Sequence, residues 1–69
     1  MNYVEIKNRD GEVYNYEIVL RNLVTKQVFS IYLNDYEEVV NYLKKRKYSK
    51  KVKALYVMND MGYTFDEYC

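Results

Sequence analysis

The chain has 69 residues, a net charge of +1 and 30% charged residues, and nearly half of its residues are apolar. This length suits a single domain, residues 1–69, and the composition excludes a disordered chain. Its uncharged stretches are too short to cross a bilayer, its first residues lack a signal-peptide pattern, and its single cysteine argues against a disulfide-bonded secreted domain. We therefore expect a cytoplasmic protein without membrane contact.

The first predicted element is a hairpin whose register is selected by the apolar pattern. Asp10-Gly11 is a turn signal between two runs of alternating apolar and polar residues. A three-residue loop with a left-handed Gly11 pairs Ile6 with Tyr14, whereas a two-residue loop pairs apolar with polar residues. The predicted strands cover residues 2–8 and 12–21, which also pairs Val4 with Tyr16.

A third strand is predicted from Gln27 to Leu33. A four-residue loop, 23–26, aligns Phe29 and Ile31 with Leu20 and Ile18 of the preceding strand. The three strands form an antiparallel meander.

A helix follows, and its first turn carries clear start signals. Asn34 or Asp35 serves as the N-cap, Glu37 and Glu38 favour the positive end of the helix dipole, and Asp35-x-x-Glu38 resembles a capping box. Apolar residues recur with the spacing i, i+3, i+4, i+7, forming one stripe that we expect to pack on the sheet: Tyr36, Val39, Val40 and Leu43.

A further strand is predicted at 52–58, followed by a turn at 59–62. The tail, 63–69, fits either a fifth strand or a single helical turn. The predicted fold class is α+β: a small antiparallel sheet in the order β-β-β-α-β, with the fifth strand left open and one helix packed on one face.

The face of the sheet away from the helix is the first candidate site. One helix covers one face, yet apolar and tyrosyl side chains are predicted on both, and the last strand is apolar on both sides. Exposed apolar patches with tyrosines are typical of interaction surfaces. We therefore predict a surface for a protein partner or for self-association: Tyr3, Val19, Val28, Tyr32, Leu55 and Val57. In the alternatives, Tyr63, Phe65 and Tyr68 fold back over this face, or the exposure is scattered and carries no function.

A basic segment, 44–53, is the second candidate site. It holds seven of the eleven basic residues and none of the ten acidic ones. Cations around an aromatic side chain are typical of single-strand nucleic-acid binders, and an acidic protein surface is the other partner of this type. The candidate residues are Lys44, Lys45, Arg46, Lys47, Tyr48, Lys50 and Lys51. The alternative is a solvated surface that stabilises the helix C-terminus and protects a strand edge.

Catalysis is not expected. The chain has no histidine, which excludes catalytic triads and most zinc sites, and its two glycines cannot form a phosphate-binding loop. We expect no cofactor, metal or small-molecule substrate. The leading hypothesis is a non-enzymatic protein-binding module of the small, tyrosine-rich kind with which phages and mobile elements inhibit host or defence proteins. The alternative is a nucleic-acid-binding protein using the basic segment.

Overall fold

A computed structural model describes residues 5–60 and 62–64. It confirms the α+β class, with one helix and antiparallel strands in the order β-β-β-β-α-β-β. The elements are β1 Ile6–Lys7, β2 Val13–Tyr14, β3 Tyr16–Asn22, β4 Val28–Leu33, α1 Tyr36–Arg46, β5 Val52–Asn59 and β6 Gly62–Thr64.

The first hairpin has the predicted register, with Ile6 opposite Tyr14. Gly11 has a φ of 85°, the left-handed conformation that the three-residue loop requires. The loop is closed by the Asn8 N–H, which donates to the Glu12 carbonyl at 3.0 Å, and by the Asn8 side chain, whose Oδ1 accepts from the Glu12 N–H at 2.9 Å. The predicted pairing of Val4 lies outside the described residues.

The long second strand of the prediction is divided at Asn15, where the chain bends between β2 and β3. The Asn15 side chain donates to the Asn34 carbonyl at 2.9 Å, and the Asn34 side chain accepts from the Asn15 N–H at 3.3 Å. These bonds hold the bend at the far end of β4, so that β1 and β2 form a separate two-stranded unit.

The main sheet has the strand order β4-β3-β5-β6. β3 pairs with β4 in the predicted register, with Ile18 opposite Ile31 and Leu20 opposite Phe29. The predicted meander is wrong in one respect, because the second neighbour of β3 is β5 and not the first strand. The bend at Asn15 takes the hairpin away from the sheet and leaves that edge of β3 to the eight-residue β5.

A bulge in β5 changes which of its residues face the helix. Val19 lies opposite Tyr56 and Leu20 opposite Ala54, so Leu55 is an extra residue with no counterpart in β3. An extra residue reverses the alternation of side chains beyond it. Ala54 and Val57 therefore both pack against the helix-side core, although the regular alternation of a strand at 52–58 would place them on opposite faces.

The core lies between α1 and the middle of the sheet, and it contains Ile18, Leu20, Val39, Leu43 and Val57. The helix stripe is confirmed at Val39 and Leu43, whereas Tyr36 is 48% exposed. Asp35 occupies the N-cap position, but its side chain makes no capping hydrogen bond, so the predicted capping box does not form.

The described part of the tail continues the sheet. Asn59 lies opposite Gly62 across a turn, as predicted, and β6 pairs with β5 along its free edge. The choice between strand and helical turn is therefore settled as a strand for residues 62–64. The predicted fold-back of Phe65 and Tyr68 lies outside the described residues.

Candidate functional site

The outer face is the side of the main sheet away from the helix, and it is less apolar than predicted. The pairing register places three residues from each of three strands on it: Glu17, Val19 and Arg21 of β3, Val28, Ser30 and Tyr32 of β4, and Lys53, Tyr56 and Met58 of β5. Three of these nine carry a charge.

Two of the predicted docking residues are buried. Val57 has no exposed surface because the bulge turns it into the core, so its assignment to a docking surface is wrong. Val19 does belong to the outer face, but it is only 5% exposed and cannot supply docking area. Leu55 is half-buried at the bulge, and Tyr3 lies outside the described residues. Val28, 54% exposed, and the half-buried Tyr32 remain available.

The first hairpin covers part of the outer face. The ring of Tyr14 in β2 lies against that of Tyr32 in β4, with the centroids 5.5 Å apart. Ile6, the cross-strand partner of Tyr14, is buried, and it joins Val19 as a buried residue outside the helix-side cluster. Neither of the predicted alternatives, an open face or a face covered by the tail, included this arrangement.

One end of the outer face is polar and internally bonded. The Ser30 hydroxyl donates to Glu17 Oε2 at 2.6 Å, and the Tyr32 hydroxyl donates to the same oxygen at 3.5 Å. Two donors from β4 thus hold the carboxylate of β3 in place.

The other end of the outer face carries two cations side by side. Arg21 and Lys53 lie directly opposite each other on β3 and β5, and both are exposed. Like charges in directly opposite positions destabilise a sheet. This pair could not be predicted from the sequence, because the two residues belong to distant segments and only the β3–β5 register brings them together.

β4 forms one edge of the main sheet. The Asn22 N–H donates to the Gln27 carbonyl at 2.8 Å, which directs the main-chain groups of Gln27 toward β3. Main-chain groups alternate in direction along an antiparallel strand. Those of Phe29 and Ile31 therefore also point to β3, whereas those of Val28, Ser30 and Tyr32 point to the open edge.

The edge strand lacks the usual protection against pairing. Its six residues, Val28–Leu33, include no charge and no proline, and natural edge strands generally use one or the other, or a bulge, to prevent association. Exposed apolar side chains lie along it and in the preceding turn: Val24 at 77%, Val28 at 54% and Phe29 at 37%. Phe29 lies on the helix side of the sheet, as its predicted alignment with Leu20 implies, but the helix packs over β3 and β5 and leaves this ring outside the core cluster.

Most of the basic segment is exposed. Tyr48 is 86% exposed, with the Lys47 ammonium 5.7 Å from its ring centre. Lys44, Lys45, Lys50 and Lys51 are exposed as well. In residues 5–60 and 62–64 the single salt bridge joins Lys7 to Glu5, so no carboxylate pairs with the segment there.

Arg46 differs from the other basic candidates. Its guanidinium lies 3.6 Å from the ring centre of Tyr42, and its Nη1 donates to the Tyr42 carbonyl at 3.4 Å. Both groups are half-buried, so this pair stabilises the end of the helix and is poorly placed to bind a ligand.

Comparison with protein-family models, with curated proteins and with solved structures finds no match. The single helix of the described region is too short to cross a bilayer. In the same region, no three acidic or cysteine side chains gather in a way that could hold a metal ion.

Proposed function

We propose that this protein is a protein-binding module whose docking site is the open edge of β4. The partner contributes an extended, uncharged segment that adds to the sheet as a further antiparallel strand. Strand addition gives affinity through main-chain hydrogen bonds and specificity through the alternating side chains. An inhibitory role toward a host or defence protein, and action in the cytoplasm, remain predictions from size and composition.

One observation carries this proposal: the main-chain groups of Val28, Ser30 and Tyr32 point away from β3 along an edge that no described strand occupies. Three N–H groups and three carbonyls are thus spaced to match one partner strand. Because the edge carries no charged side chain, the partner is expected to be uncharged at the positions that lie opposite.

Two substitutions at Ser30 separate the main-chain contact from the side chain. Ser30→Ala removes the hydroxyl that binds Glu17 but keeps the outward N–H, whereas Ser30→Pro removes both. Proline is tolerated on an edge strand where its nitrogen faces solvent, so Ser30→Pro should still fold.

The test captures partners from native-host lysate with wild-type protein, Ser30→Ala and Ser30→Pro, each checked by circular dichroism. We expect one protein to be retained by wild type and Ser30→Ala and lost with Ser30→Pro. Equal retention by all three folded proteins overturns the proposal, and so does the capture of no specific protein by a chain that also does not associate with itself. If Ser30→Pro does not fold, Phe29→Lys replaces it, with Val24→Lys as the matched control away from the strand.

The pair Arg21 and Lys53 favours a second candidate function, the binding of single-stranded nucleic acid. Arg21 extends the basic segment onto the sheet, beside Lys53. The repulsion between the two cations would be absent if either position held an uncharged residue. Tyr48 offers an exposed ring for base stacking beside Lys47. Fluorescence anisotropy of a labelled single-stranded oligonucleotide at low salt tests this function, because phosphate contacts are strongest at low salt. Anisotropy that stays unchanged when protein is added would exclude it.

A further inference from the structure

We infer that the strand added to β4 is β4 of a second copy of this chain, so that two sheets join in a symmetric antiparallel dimer. This inference rests on the proposed docking edge and names its occupant. A two-fold axis perpendicular to the sheet runs the two β4 strands in opposite directions and places both helices on the same face of an eight-stranded sheet.

The register follows from the outward main-chain groups. Directly opposite residues of an antiparallel pair direct their side chains to the same face, so Ser30 must meet an outer-face residue of the second copy. With Ser30 opposite Ser30, Val28 meets Tyr32 in both halves, and every outward N–H and carbonyl of the strand finds a partner. With Ser30 opposite Tyr32 or Val28 instead, one outward residue extends past the end of the partner strand.

This register also covers the exposed ring on the helix side. Phe29 lies opposite Ile31 of the second copy, in a non-hydrogen-bonded pair where side chains approach most closely. Phe29 is 37% exposed and outside the core cluster, whereas Ile31 packs at its border. The contact thus extends the apolar core across the two-fold axis at two symmetric places.

The charges of the two outer faces are complementary in the same register. Arg21 lies opposite Val28, and Glu17 lies opposite Tyr32. Val28 meets Tyr32 of the second copy. Arg21 of one copy and Glu17 of the other therefore lie in the same row across the joined sheet. The two β4 strands lie between these charged residues, and because they are uncharged they bring no like charges together. A second copy therefore supplies the uncharged strand that this edge requires and places charges of opposite sign in each row.

The dimer is expected to be reversible. A single pair of six-residue strands is at the small end of specific protein interfaces, and such contacts are usually weak or transient. Association should therefore vary with protein concentration.

Sedimentation equilibrium of the purified full chain, from low micromolar to near-millimolar concentration, tests the inference. We expect a monomer–dimer equilibrium for wild type and for Val24→Asp. Phe29→Asp should weaken it by about tenfold or more, because a carboxylate would be buried against Ile31. A wild-type monomer throughout overturns the inference, and so does a dimer that Phe29→Asp leaves unchanged.

The register is tested by cysteine cross-linking. Cys69→Ser removes the only native thiol, and Ser30→Cys then places one thiol beside the two-fold axis. Hydrogen-bonded opposite residues have Cα atoms about 5.5 Å apart, within the range for a disulfide. Ser30→Cys should form a covalent dimer on mild oxidation, and Thr25→Cys, in the exposed turn, should form little. Equal yields from the two variants overturn the register.

The two proposals fail in different ways. If the chain is monomeric but captures a different protein that Ser30→Pro loses, the self-pairing is wrong and the docking edge stands. If the chain is monomeric and captures nothing, both are wrong.

Discussion

The rings of Tyr14 and Tyr32 lie in contact, with centroids 5.5 Å apart and planes inclined by 39°. Tyr14 belongs to the first hairpin and Tyr32 to the edge strand of the main sheet, so this contact connects the two β units of the molecule. It also covers one end of the outer face, beside β4, whose outward main-chain groups face no strand among the described residues.

Removing the Tyr14 ring should loosen the hairpin without unfolding the domain. Aromatic pairs contribute about 0.5–1.5 kcal/mol beyond the area that they bury, and each strand of the hairpin is only two residues long. In Tyr14→Ala, the amides of Ile6 and Asn8, which point toward β2, should exchange hydrogen faster while those of Ile18 and Leu20 keep their protection. Tyr48→Ala, which removes an exposed ring, is the control. Unchanged exchange at Ile6 would show that other contacts hold the hairpin.

Leu20 has no exposed surface and lies in the helix-side cluster. Leu20→Ala should lower the free energy of unfolding by about 2–5 kcal/mol, a large fraction of the stability of a domain of this size. Val24→Ala, in the exposed turn, should change it by less than about 0.5 kcal/mol. Urea denaturation followed by circular dichroism measures both, and similar midpoints for the two variants would contradict the assigned core.

Lys26 is a non-glycine residue with a φ of 66°, which is unfavourable for a side chain with a Cβ. Lys26→Gly should relieve this strain and raise the free energy of unfolding by up to about 1 kcal/mol, after allowing for the greater freedom of glycine in the unfolded chain. Gly11→Ala, at a φ of 85°, is the opposite change and should destabilise. Urea denaturation compares the two, and a stabilised Gly11→Ala would contradict the assigned backbone conformation.

The sequence predicted the elements better than it predicted the faces. The Asp10-Gly11 turn, the β3–β4 register and the helix stripe around Val39 all depend on contacts close in sequence, where spacing alone is informative. The bulge at Leu55 and the bend at Asn15 are single-residue events that reverse a two-residue period. A regular alternation therefore placed Val57 on the outer face, whereas it lies in the core. It placed Val19 on the correct face, but this residue is buried there.

The candidate sites were predictable to different degrees. The basic segment is contiguous, so its exposure around Tyr48 could be predicted, but the addition of Arg21 depends on a long-range register. The open edge of β4 was not predictable, because it depends on whether β5 pairs with β3 or with β4. In the structure β5 pairs with β3. An uncharged strand lacking proline was the available signal at Val28–Leu33.

Reversing one charge of the basic pair should have two separate effects. Arg21→Glu places a carboxylate opposite Lys53, which should stabilise the sheet by about 0.2–1 kcal/mol. If the basic surface binds nucleic acid, the same change should weaken oligonucleotide binding in fluorescence anisotropy and flatten its salt dependence. Arg9→Glu makes the same change of net charge in the exposed hairpin loop and should do neither. Equal binding by the two variants would assign any affinity to net charge alone.

The central claim is that the main-chain groups at the edge of β4 are the docking site, and hydrogen exchange at single amides tests it most directly. In dilute wild-type protein, the outward amides of Val28, Ser30 and Tyr32 should exchange quickly, whereas the inward amides of Phe29 and Ile31 are protected by β3. Raising the protein concentration, or adding a captured partner, should slow exchange at the three outward amides. Fast exchange there under both conditions, in the presence of demonstrated association, would place the interface elsewhere and contradict the claim.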